Sequence, residues 1–417
     1  MNSADIKVLM ERVSAYEGNQ LIDACGPILS STEIGRRLIH FPVMSEFHAN
    51  APAHILEHEL AALWRLHIPT STGISVAQTL DVMQRQGYVH RKPTDPATWR
   101  RLYGQSDDDH SLAPIQLAAA VGGISGTGKT SAVERALRLK PQVQLHHHFP
   151  GLVGEVRQLL WVKIDVPGSG KTVDLVESLV RACDVALGTR YSYQILDGRR
   201  RSGASLAHEW IAMIGCHFLG MVVLDEIQNL FKIQTKLART SSSRRGDDRP
   251  ELRIVDDEAL KFLLTLTNTS KIPLVICGTP EGIDAFSNRM STSQRLATGG
   301  VHTVPHAATP DDKFYMTRLF PQLVKYQWLP ELLPPSDELR ALLHNLSGGV
   351  LRICIALWIH AHRRAFARRG KGLKLDDFRQ AATNELAMLR PAVMALLSND
   401  PRRLQLYQDL LPNGAFS

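Results

Sequence analysis

Ala120-Val121-Gly122-Gly123-Ile124-Ser125-Gly126-Thr127-Gly128-Lys129-Thr130 is the stretch that decides the fold. From Gly123 onward it follows the pattern G-x-x-x-x-G-K-[ST], in which glycines let the backbone curl so that successive N–H groups point at one phosphate. Lys129 supplies a cation for the β- and γ-phosphate oxygens, and the Thr130 hydroxyl can reach Mg²⁺. An apolar run precedes the loop and a helical pattern follows it. The stretch therefore predicts a loop that binds ATP and Mg²⁺ through Gly123, Ile124, Ser125, Gly126, Thr127, Gly128, Lys129, Thr130 and Ser131.

A second Gly-Lys-Thr sequence, Asp165-Val166-Pro167-Gly168-Ser169-Gly170-Lys171-Thr172, also lies between a predicted strand and a predicted helix. Asp165 stands where the pattern requires glycine, and its carboxylate would repel an anion that the backbone must wrap. We therefore assign the nucleotide to the first loop. Two interpretations of the second loop stay open: an ordinary capped helix start, or a contact of Lys171 and Thr172 with a DNA phosphate.

Met221-Val222-Val223-Leu224-Asp225-Glu226 is an apolar run that ends in two acids. Asp225 can hold Mg²⁺ through water, and Glu226 can orient and deprotonate the attacking water. Alone the pattern is weak, but together with the phosphate-binding loop it predicts ATP hydrolysis. A further buried run, 273–277, leads to Thr279. If that strand lies between the other two, Thr279 faces the γ-phosphate; a turn-forming Thr-Pro is the alternative.

Strand-like and helical patterns alternate from residue 113. The apolar runs are 115–121, 159–164, 221–224, 273–277 and 301–304. Such alternation predicts a parallel five-stranded sheet covered by helices on both faces. Beyond residue 310 only helical patterns follow. We predict a mainly helical N-terminal region over 1–112 for partner or DNA interaction, an α/β nucleotide-binding domain over 113–308, an α-helical lid over 309–397 and a tail over 398–417.

The composition of the 417 residues, 44% hydrophobic and 21% charged, excludes a fibrous or mainly disordered chain. A formal net charge of +7 permits a phosphate-rich partner. Five cysteines without a C-x-x-C pair argue against a zinc site, and we expect buried, reduced thiols. The sequence shows neither a signal-peptide pattern nor a membrane-spanning apolar run, so we expect a cytoplasmic protein without membrane contact.

Gly220-Met221-Val222-Val223-Leu224-Asp225-Glu226-Ile227-Gln228-Asn229-Leu230 extends the acid pair by Glu-Ile-Gln-Asn-Leu. With 163–169, 187–191, 275–281 and 346–352, it resembles the TnsC/TniB family of AAA+ transposition regulators. The resemblance covers about 113 to 365. It implies a P-loop AAA+ ATPase that assembles head-to-tail on double-stranded DNA, as a ring or a filament. Such a protein passes a signal from a target-selection protein to transposase subunits, and ATP hydrolysis resets the assembly.

Individual roles follow from the same resemblance. Thr279 falls at the sensor-1 position and Arg352 at the sensor-2 position, where its guanidinium can grip the γ-phosphate. A trans-acting arginine finger is expected between the fourth and fifth strands. Arg289 and Arg295 are both available there. We favour Arg295, and a plain surface charge is the alternative for either residue.

The resemblance also places the loop after the second strand at a central pore, which favours DNA contact by Lys171 and Thr172. The stretch after the acid pair is basic and rich in hydroxyl groups, so it can track a phosphate backbone. It contains Lys232, Lys236 and Arg239. A disordered polar loop is the alternative there. For the whole chain, the alternatives are a helicase loader or replication initiator of the AAA+ type, and a nucleotide-gated scaffold that does not hydrolyse ATP.

Overall fold

The structure, a computed structural model, describes residues 13–44, 51–102, 117–196, 202–233, 252–287, 298–398, 400 and 403. The chain forms two compact units. The sheet unit comprises residues 1–32, 75–122 and 133–302. The lid unit comprises residues 33–74, 123–132 and 303–417. Each unit takes part of the N-terminal region, and the predicted domain boundaries stay predictions.

A five-stranded sheet forms the centre of the sheet unit, and the described residues also form two antiparallel sheets of two strands each. The strands are β1 Ala118–Gly122, β2 Val143–His146, β3 Val156–Leu159, β4 Val162–Asp165, β5 Val222–Asp225, β6 Phe231–Ile233, β7 Leu252–Ile254, β8 Leu274–Gly278 and β9 Val301–Thr303. The central order is β4-β5-β8-β1-β9, and β4, β5, β8 and β1 run parallel. The predicted α/β class with a parallel five-stranded sheet is confirmed, and β8 does lie between β1 and β5.

The predicted strand 159–164 is two strands in the structure. β3 pairs antiparallel with β2, whereas β4 pairs parallel with β5. The change occurs at Leu160 and Trp161, where the Leu160 N–H donates to the Gln142 carbonyl at 2.8 Å. Leu159, Leu160 and Val162 are fully buried, so the chain is apolar on both sides of this change. A single strand-like run in the sequence therefore conceals a transfer of the chain from one sheet to another.

Helices cover the sheet and build most of the remaining structure. Those of the N-terminal region are α1 Gln20–Asp23, α2 Ser31–Leu38, α3 Ala53–Leu60, α4 Ser71–Val89 and α5 Pro96–Leu102. Those that follow up to the lid are α6 Lys129–Leu137, α7 Thr172–Leu187, α8 Tyr191–Ile195, α9 Gly203–Cys216, α10 Asp257–Asn268 and α11 Pro280–Ser287. The apolar faces of α7, α9 and α10 bury a continuous core with the strands, in which Trp210 and Phe262 meet edge to face. Burial of these faces stabilises the helices in place.

The lid unit is helical, as predicted. Its elements are a π-helix Tyr315–Leu319, α12 Phe320–Val324, α13 Asp337–Ser347, α14 Leu351–Ala367, α15 Leu375–Thr383 and α16 Arg390–Ser398. Trp358 of α14 is fully buried, and its indole N–H donates to the Tyr326 carbonyl at 2.6 Å. Gly348 ends α13 with φ +61°, a conformation that glycine adopts without strain. The turn 348–350 thereby leads directly into α14.

All five cysteines are free thiols. Four of them are buried, as expected, but Cys216 is exposed. It lies in the last turn of α9, where its thiol contacts the Ala212 carbonyl. The expectation was wrong for Cys216 because the apolar run around it belongs to a helix with one exposed face.

Within the described residues, no single helix is long and apolar enough to cross a membrane. Only α13 and α14 taken together pass that test of length and composition, and they are bent by 114° at their junction.

Candidate functional site

The phosphate-binding loop between β1 and α6 belongs to the lid unit. Gly126 and Gly128 have φ values of +84° and +97°, which L-residues with side chains avoid. The loop is closed at Gly123, where an added Cβ would lie 2.9 Å from both Thr127 Oγ1 and the Val304 carbonyl oxygen. The Thr127 hydroxyl donates to the Ile124 carbonyl at 2.9 Å. These contacts hold a curled backbone, as the sequence pattern predicts.

Lys129 is the first residue of α6, and its side chain is only 6% exposed. The residues that the structure describes offer its ammonium neither an ion pair nor a hydrogen bond. A nearly buried cation without a counter-charge is unfavourable. In addition, the first N–H groups of α6 have no partner within the helix. The loop therefore has the donors and the positive charge that fit a phosphate group.

A pocket opens beside this loop within the lid unit. Its lining includes Thr127 and Gly128 from the loop, His67 and Thr70 from the segment before α4, and His306. Burial lowers the pKa of His306, and the nearby His344 adds to the decrease. The imidazole of His306 is thus neutral near pH 7. The pocket offers an uncharged, partly apolar surface next to the phosphate-binding backbone.

Arg352 is the second residue of α14, and its side chain is exposed. Its backbone N–H donates to the Gly126 carbonyl at 3.2 Å. An added Cβ at Gly126 would lie 3.3 Å from Arg352 Cβ. The lid unit therefore brings the predicted sensor-2 arginine directly to the phosphate-binding loop.

The acid pair lies at the end of β5 in the sheet unit. Asp225 is 1% exposed, and its Oδ1 accepts the Glu226 N–H at 3.0 Å. Lys163 Nζ, from β4, lies 3.3 Å from Asp225 Oδ2 and 3.1 Å from both Glu134 Oε1 and Asp165 Oδ1. Burial alone would lower the pKa of Lys163, but the three carboxylates outweigh it and raise that pKa. Lys163 is thus the charge partner of Asp225, a role that sequence reasoning missed.

Glu226 has φ +54°, a left-handed conformation that is uncommon for residues other than glycine. Gln228 Nε2 donates to Glu226 Oε2. At the other end of the same amide, Gln228 Oε1 accepts the Thr279 N–H at 3.3 Å. Thr279 is 2% exposed and follows β8. The sheet unit therefore brings Asp225, Glu226 and Thr279 together, with Gln228 as the residue that joins the last two.

The second Gly-Lys-Thr loop, between β4 and α7, also belongs to the sheet unit. Lys171 is exposed, whereas Thr172 is fully buried. The Thr172 N–H and hydroxyl both donate to Asp256 Oδ2, at 2.9 and 2.7 Å. Burial alone would raise the pKa of Asp256, but these hydrogen bonds and one from the Glu258 N–H lower it. Thr172 is therefore occupied inside the protein, and Lys171 is the side chain that is available to a ligand.

Of the other predicted DNA contacts, Lys232 belongs to β6 and its backbone pairs with Arg253 of β7. Lys236 and Arg239 lie outside the described residues, as do the two arginine-finger candidates, Arg289 and Arg295. Their roles stay predictions. Gln228 and Asn229 form hydrogen bonds that the sequence analysis missed, although both belong to the Glu-Ile-Gln-Asn-Leu continuation that it singled out.

Similar solved structures include the ORC2 protein of Aeropyrum pernix in ADPNP–ADP complexes, with 13% identity and a TM-score of 0.41 over 65% of this chain and 63% of that one. The chain thus spans less than two thirds of that protein. Drosophila ORC bound to DNA follows, with 16% identity and a TM-score of 0.35 over 79% of this chain and 70% of that one. A Walker-type ATPase of Pyrococcus abyssi has 12% identity and a TM-score of 0.39, over 74% of this chain and 79% of that one. Such scores carry no functional conclusion.

No curated protein matches the sequence. A family model does: residues 116–286 match the AAA domain. The matched segment begins just before β1 and ends within α11, so it contains both the phosphate-binding loop and the acid pair. The strands β4, β5, β8 and β1 of that segment run parallel, in agreement with the parallel sheet predicted from the sequence. Residues 116–286 are therefore similar to the AAA domain, and the parallel sheet that contains them has the fold of a P-loop AAA+ domain.

Proposed function

We propose that this protein is an ATP-dependent, DNA-binding AAA+ regulator of transposition. In this proposal it assembles head-to-tail on double-stranded DNA in the cytoplasm and links a target-selection protein to transposase subunits. The observation that carries the ATP-binding part is Lys129, whose nearly buried ammonium has no counter-charge among the described residues. The continuation 226–230, through its resemblance to TnsC/TniB proteins, supports the part that concerns transposition.

ATP binding involves the lid unit first. The N–H groups of 123–131 and Lys129 hold the phosphates, and the pocket that contains His67 and His306 takes the uncharged base. Arg352 reaches the γ-phosphate from α14. The Thr130 hydroxyl and the Asp225 carboxylate are oxygen ligands of the kind that Mg²⁺ prefers. When bound, Mg²⁺ neutralises charge on the phosphate oxygens.

Hydrolysis involves the sheet unit. Glu226 accepts the proton of the attacking water, and Thr279 faces the γ-phosphate. Lys163 pairs with Asp225 and holds its carboxylate in position. Arg295 of a neighbouring copy completes the site, so that nucleotide binding favours assembly between copies. Turnover in one copy then loosens its contact with the next.

In this proposal, lysine and arginine side chains bind the phosphates of DNA and do not contact its bases. Lys171 is exposed at the start of α7, and Asp256 holds the backbone of that helix start through Thr172. Lys232, Lys236 and Arg239 add charge along the stretch after β5. Contacts of this kind bind any duplex sequence and weaken as salt increases.

The experiment uses the full-length protein, long duplex DNA and a slowly hydrolysed ATP analogue, and electron microscopy shows whether regular rings or filaments form on the DNA. We expect assemblies with the analogue and their loss after ATP hydrolysis. The Glu226→Gln variant should keep assemblies in ATP itself, because it binds nucleotide but turns over slowly. Lys129→Ala should form none.

Two results would favour the alternatives. If Glu226→Gln leaves ATP turnover unchanged while Lys129→Ala abolishes binding, the protein is a nucleotide-gated scaffold. If assemblies form but never stimulate transposase on a plasmid target, and instead load a hexameric helicase, the protein is a helicase loader or replication initiator. Absence of any affinity for adenine nucleotides with Mg²⁺ would end the proposal altogether.

A further inference from the structure

One wall of the pocket beside the phosphate-binding loop is attached to a lid helix through a buried histidine. This wall is the segment 304–307, and Gly349 and Leu351 line the same pocket. His344 of α13 is 2% exposed, and its Nε2 lies 2.9 Å from the Ala307 carbonyl oxygen. A side chain of the lid therefore holds the last residue of the wall.

The orientation of the His344 ring is fixed by its partner and by packing. A carbonyl oxygen only accepts hydrogen bonds, so the ring proton lies on Nε2 and is donated to Ala307. Nδ1 of the same ring is buried and has no hydrogen-bond partner in the described part of the chain. The fully buried ring of Tyr315, in the π-helix, meets the imidazole edge to face, with 5.5 Å between the ring centroids. The imidazole is thus held in one position, with its N–H directed at the wall.

The turn between α13 and α14 is attached to the same wall by its backbone. The Ala307 N–H donates to the Gly349 carbonyl at 3.2 Å. A Cβ at Gly349, where φ is +68°, would collide with the Ala307 carbonyl oxygen, so this close approach requires glycine. Ser347 Oγ accepts the Gly349 N–H at 3.1 Å and donates to the His344 carbonyl at 3.3 Å. Hydrogen bonds therefore join the wall, the turn and the last residues of α13.

The phosphate-binding loop has attachments of its own. The Gly126 carbonyl accepts the Arg352 N–H, and the Thr127 hydroxyl donates within the loop. The loop contacts the wall at Val304, whose carbonyl oxygen lies beside Gly123. The hydrogen bond from His344 therefore acts on the wall three residues beyond its contact with the loop.

We propose that His344 is a positioning residue for the base of the nucleotide, because its Nε2–H holds the wall 305–307 where the base contacts it. This inference rests on the proposed function, in which the pocket takes the base of ATP. Without the donor, the Ala307 carbonyl is left unsatisfied in the interior, and the wall moves so that this oxygen reaches water. Binding of the base has to reverse that movement. The loss therefore appears in the affinity for the base and not in the affinity for the phosphates.

The test measures how tightly the full-length protein binds ATP and inorganic tripolyphosphate, which has the phosphates but no nucleoside. Isothermal titration calorimetry with Mg²⁺ gives both affinities, and their ratio reports the contribution of the nucleoside. His344→Leu keeps an apolar side chain of similar size at this position and removes the donor. We expect its affinity for ATP to fall about tenfold, the effect of one lost hydrogen bond. Its affinity for tripolyphosphate should change by less than about twofold.

Two further variants separate the donor from the packing. His344→Gln is the conservative variant, since the glutamine amide can donate to the same carbonyl, and its ratio should stay within about threefold of wild type. His362→Leu is the matched control, because His362 of α14 is also fully buried and its Nδ1 contacts the Trp358 carbonyl at 2.7 Å. It should lower the melting temperature and leave the ratio unchanged. Circular dichroism melting curves show whether each variant is folded, and His344→Met is a second donor-free variant if His344→Leu is not.

Each contrary result identifies a different failure. Equal losses of ATP and tripolyphosphate affinity in His344→Leu, or no loss of either, would overturn the positioning role. A ratio in His344→Gln as low as that in His344→Leu would show that packing matters and the donor does not. A wild-type protein that binds ATP no more tightly than tripolyphosphate would refute the base pocket and this inference, and it would leave the phosphate site intact. A wild-type protein that binds neither would refute the proposed function itself.

Discussion

The two Gly-x-Gly-Lys-Thr loops of this chain are identical at four of their five positions and differ in what their donors do. In Gly126-Thr127-Gly128-Lys129-Thr130 the lysine is 6% exposed and has no counter-charge among the described residues. In Gly168-Ser169-Gly170-Lys171-Thr172 the lysine is exposed, and the threonine is fully buried against Asp256. The same pattern therefore forms an open anion-binding loop in one place and a capped helix start in the other.

The difference shows that residues outside the motif decide its chemistry. The first loop closes on Gly123, which has no side chain to fill the curl. In the second loop the Gly170 N–H donates to the Pro167 carbonyl at 2.9 Å, and the Thr172 N–H donates to Asp256. A carboxylate from a residue 84 positions away thus takes the place that a phosphate would occupy at a free helix start.

The largest expected effect separates the two lysines by nucleotide affinity. Lys129→Ala should weaken ATP binding by at least about a hundredfold, since it removes a nearly buried cation from the phosphates. Lys171→Ala should leave that affinity unchanged. Isothermal titration calorimetry with ATP and Mg²⁺ measures both. Equal losses in the two variants would show that the loops do not differ as described.

A second comparison uses the stability of the helix start. Asp256→Ala removes the acceptor of two Thr172 donors and of the Glu258 N–H. We expect the free energy of unfolding in urea to fall by about 2 kcal/mol, the upper value for a lost cap. Asp284→Ala, at an exposed acid of α11, is the control for a change of charge alone. Similar losses in both would make the cap unimportant.

The pH dependence of that cap has a definite sign. The hydrogen bonds lower the pKa of Asp256 below its ordinary value of 3.8, so the folded state favours the carboxylate. The stabilisation is fully present above pH 3.8 and is lost as the pH falls through the folded pKa. The difference in unfolding free energy between wild type and Asp256→Ala should therefore be constant from pH 7 to 5 and shrink below pH 4. Urea titrations at several pH values measure it, and a difference that grows at low pH would contradict the assignment.

The smallest expected effect concerns salt. If Lys171 contacts one DNA phosphate, Lys171→Ala should weaken duplex binding at every sequence and reduce the slope of log affinity against log salt by about 0.9. Lys232→Ala should do the same. Arg181→Ala is the control, since Arg181 pairs with Glu177 on the exposed side of α7. Unchanged slopes for Lys171 and Lys232 would remove the proposed DNA contact from this loop.

The sequence was sufficient to predict the loop, the acid pair and the sheet, because each depends on residue types at short spacings. Lys129 and Asp225 are recognised by their local pattern alone. Gln228 accepts a hydrogen bond from Thr279, which is 51 positions away, and Asn229 donates one to Val166, which is 63 positions away. Contacts of that kind depend on strand order and register, and the sequence pattern contains neither. The same holds for Lys163, whose partner Asp225 is in register with Asp165 on the neighbouring strand.

The ion pair of Lys163 and Asp225 has a consequence for the folding of the protein. A buried carboxylate without a counter-charge destabilises the folded state, because an unpaired charge in the interior opposes folding. Here the ammonium of Lys163 lies 3.3 Å from Asp225 Oδ2 and supplies the counter-charge, so the burial of this carboxylate does not depend on a bound cation. If Asp225 helps to hold Mg²⁺, as we propose, EDTA should abolish ATP turnover and leave the melting temperature of the protein unchanged.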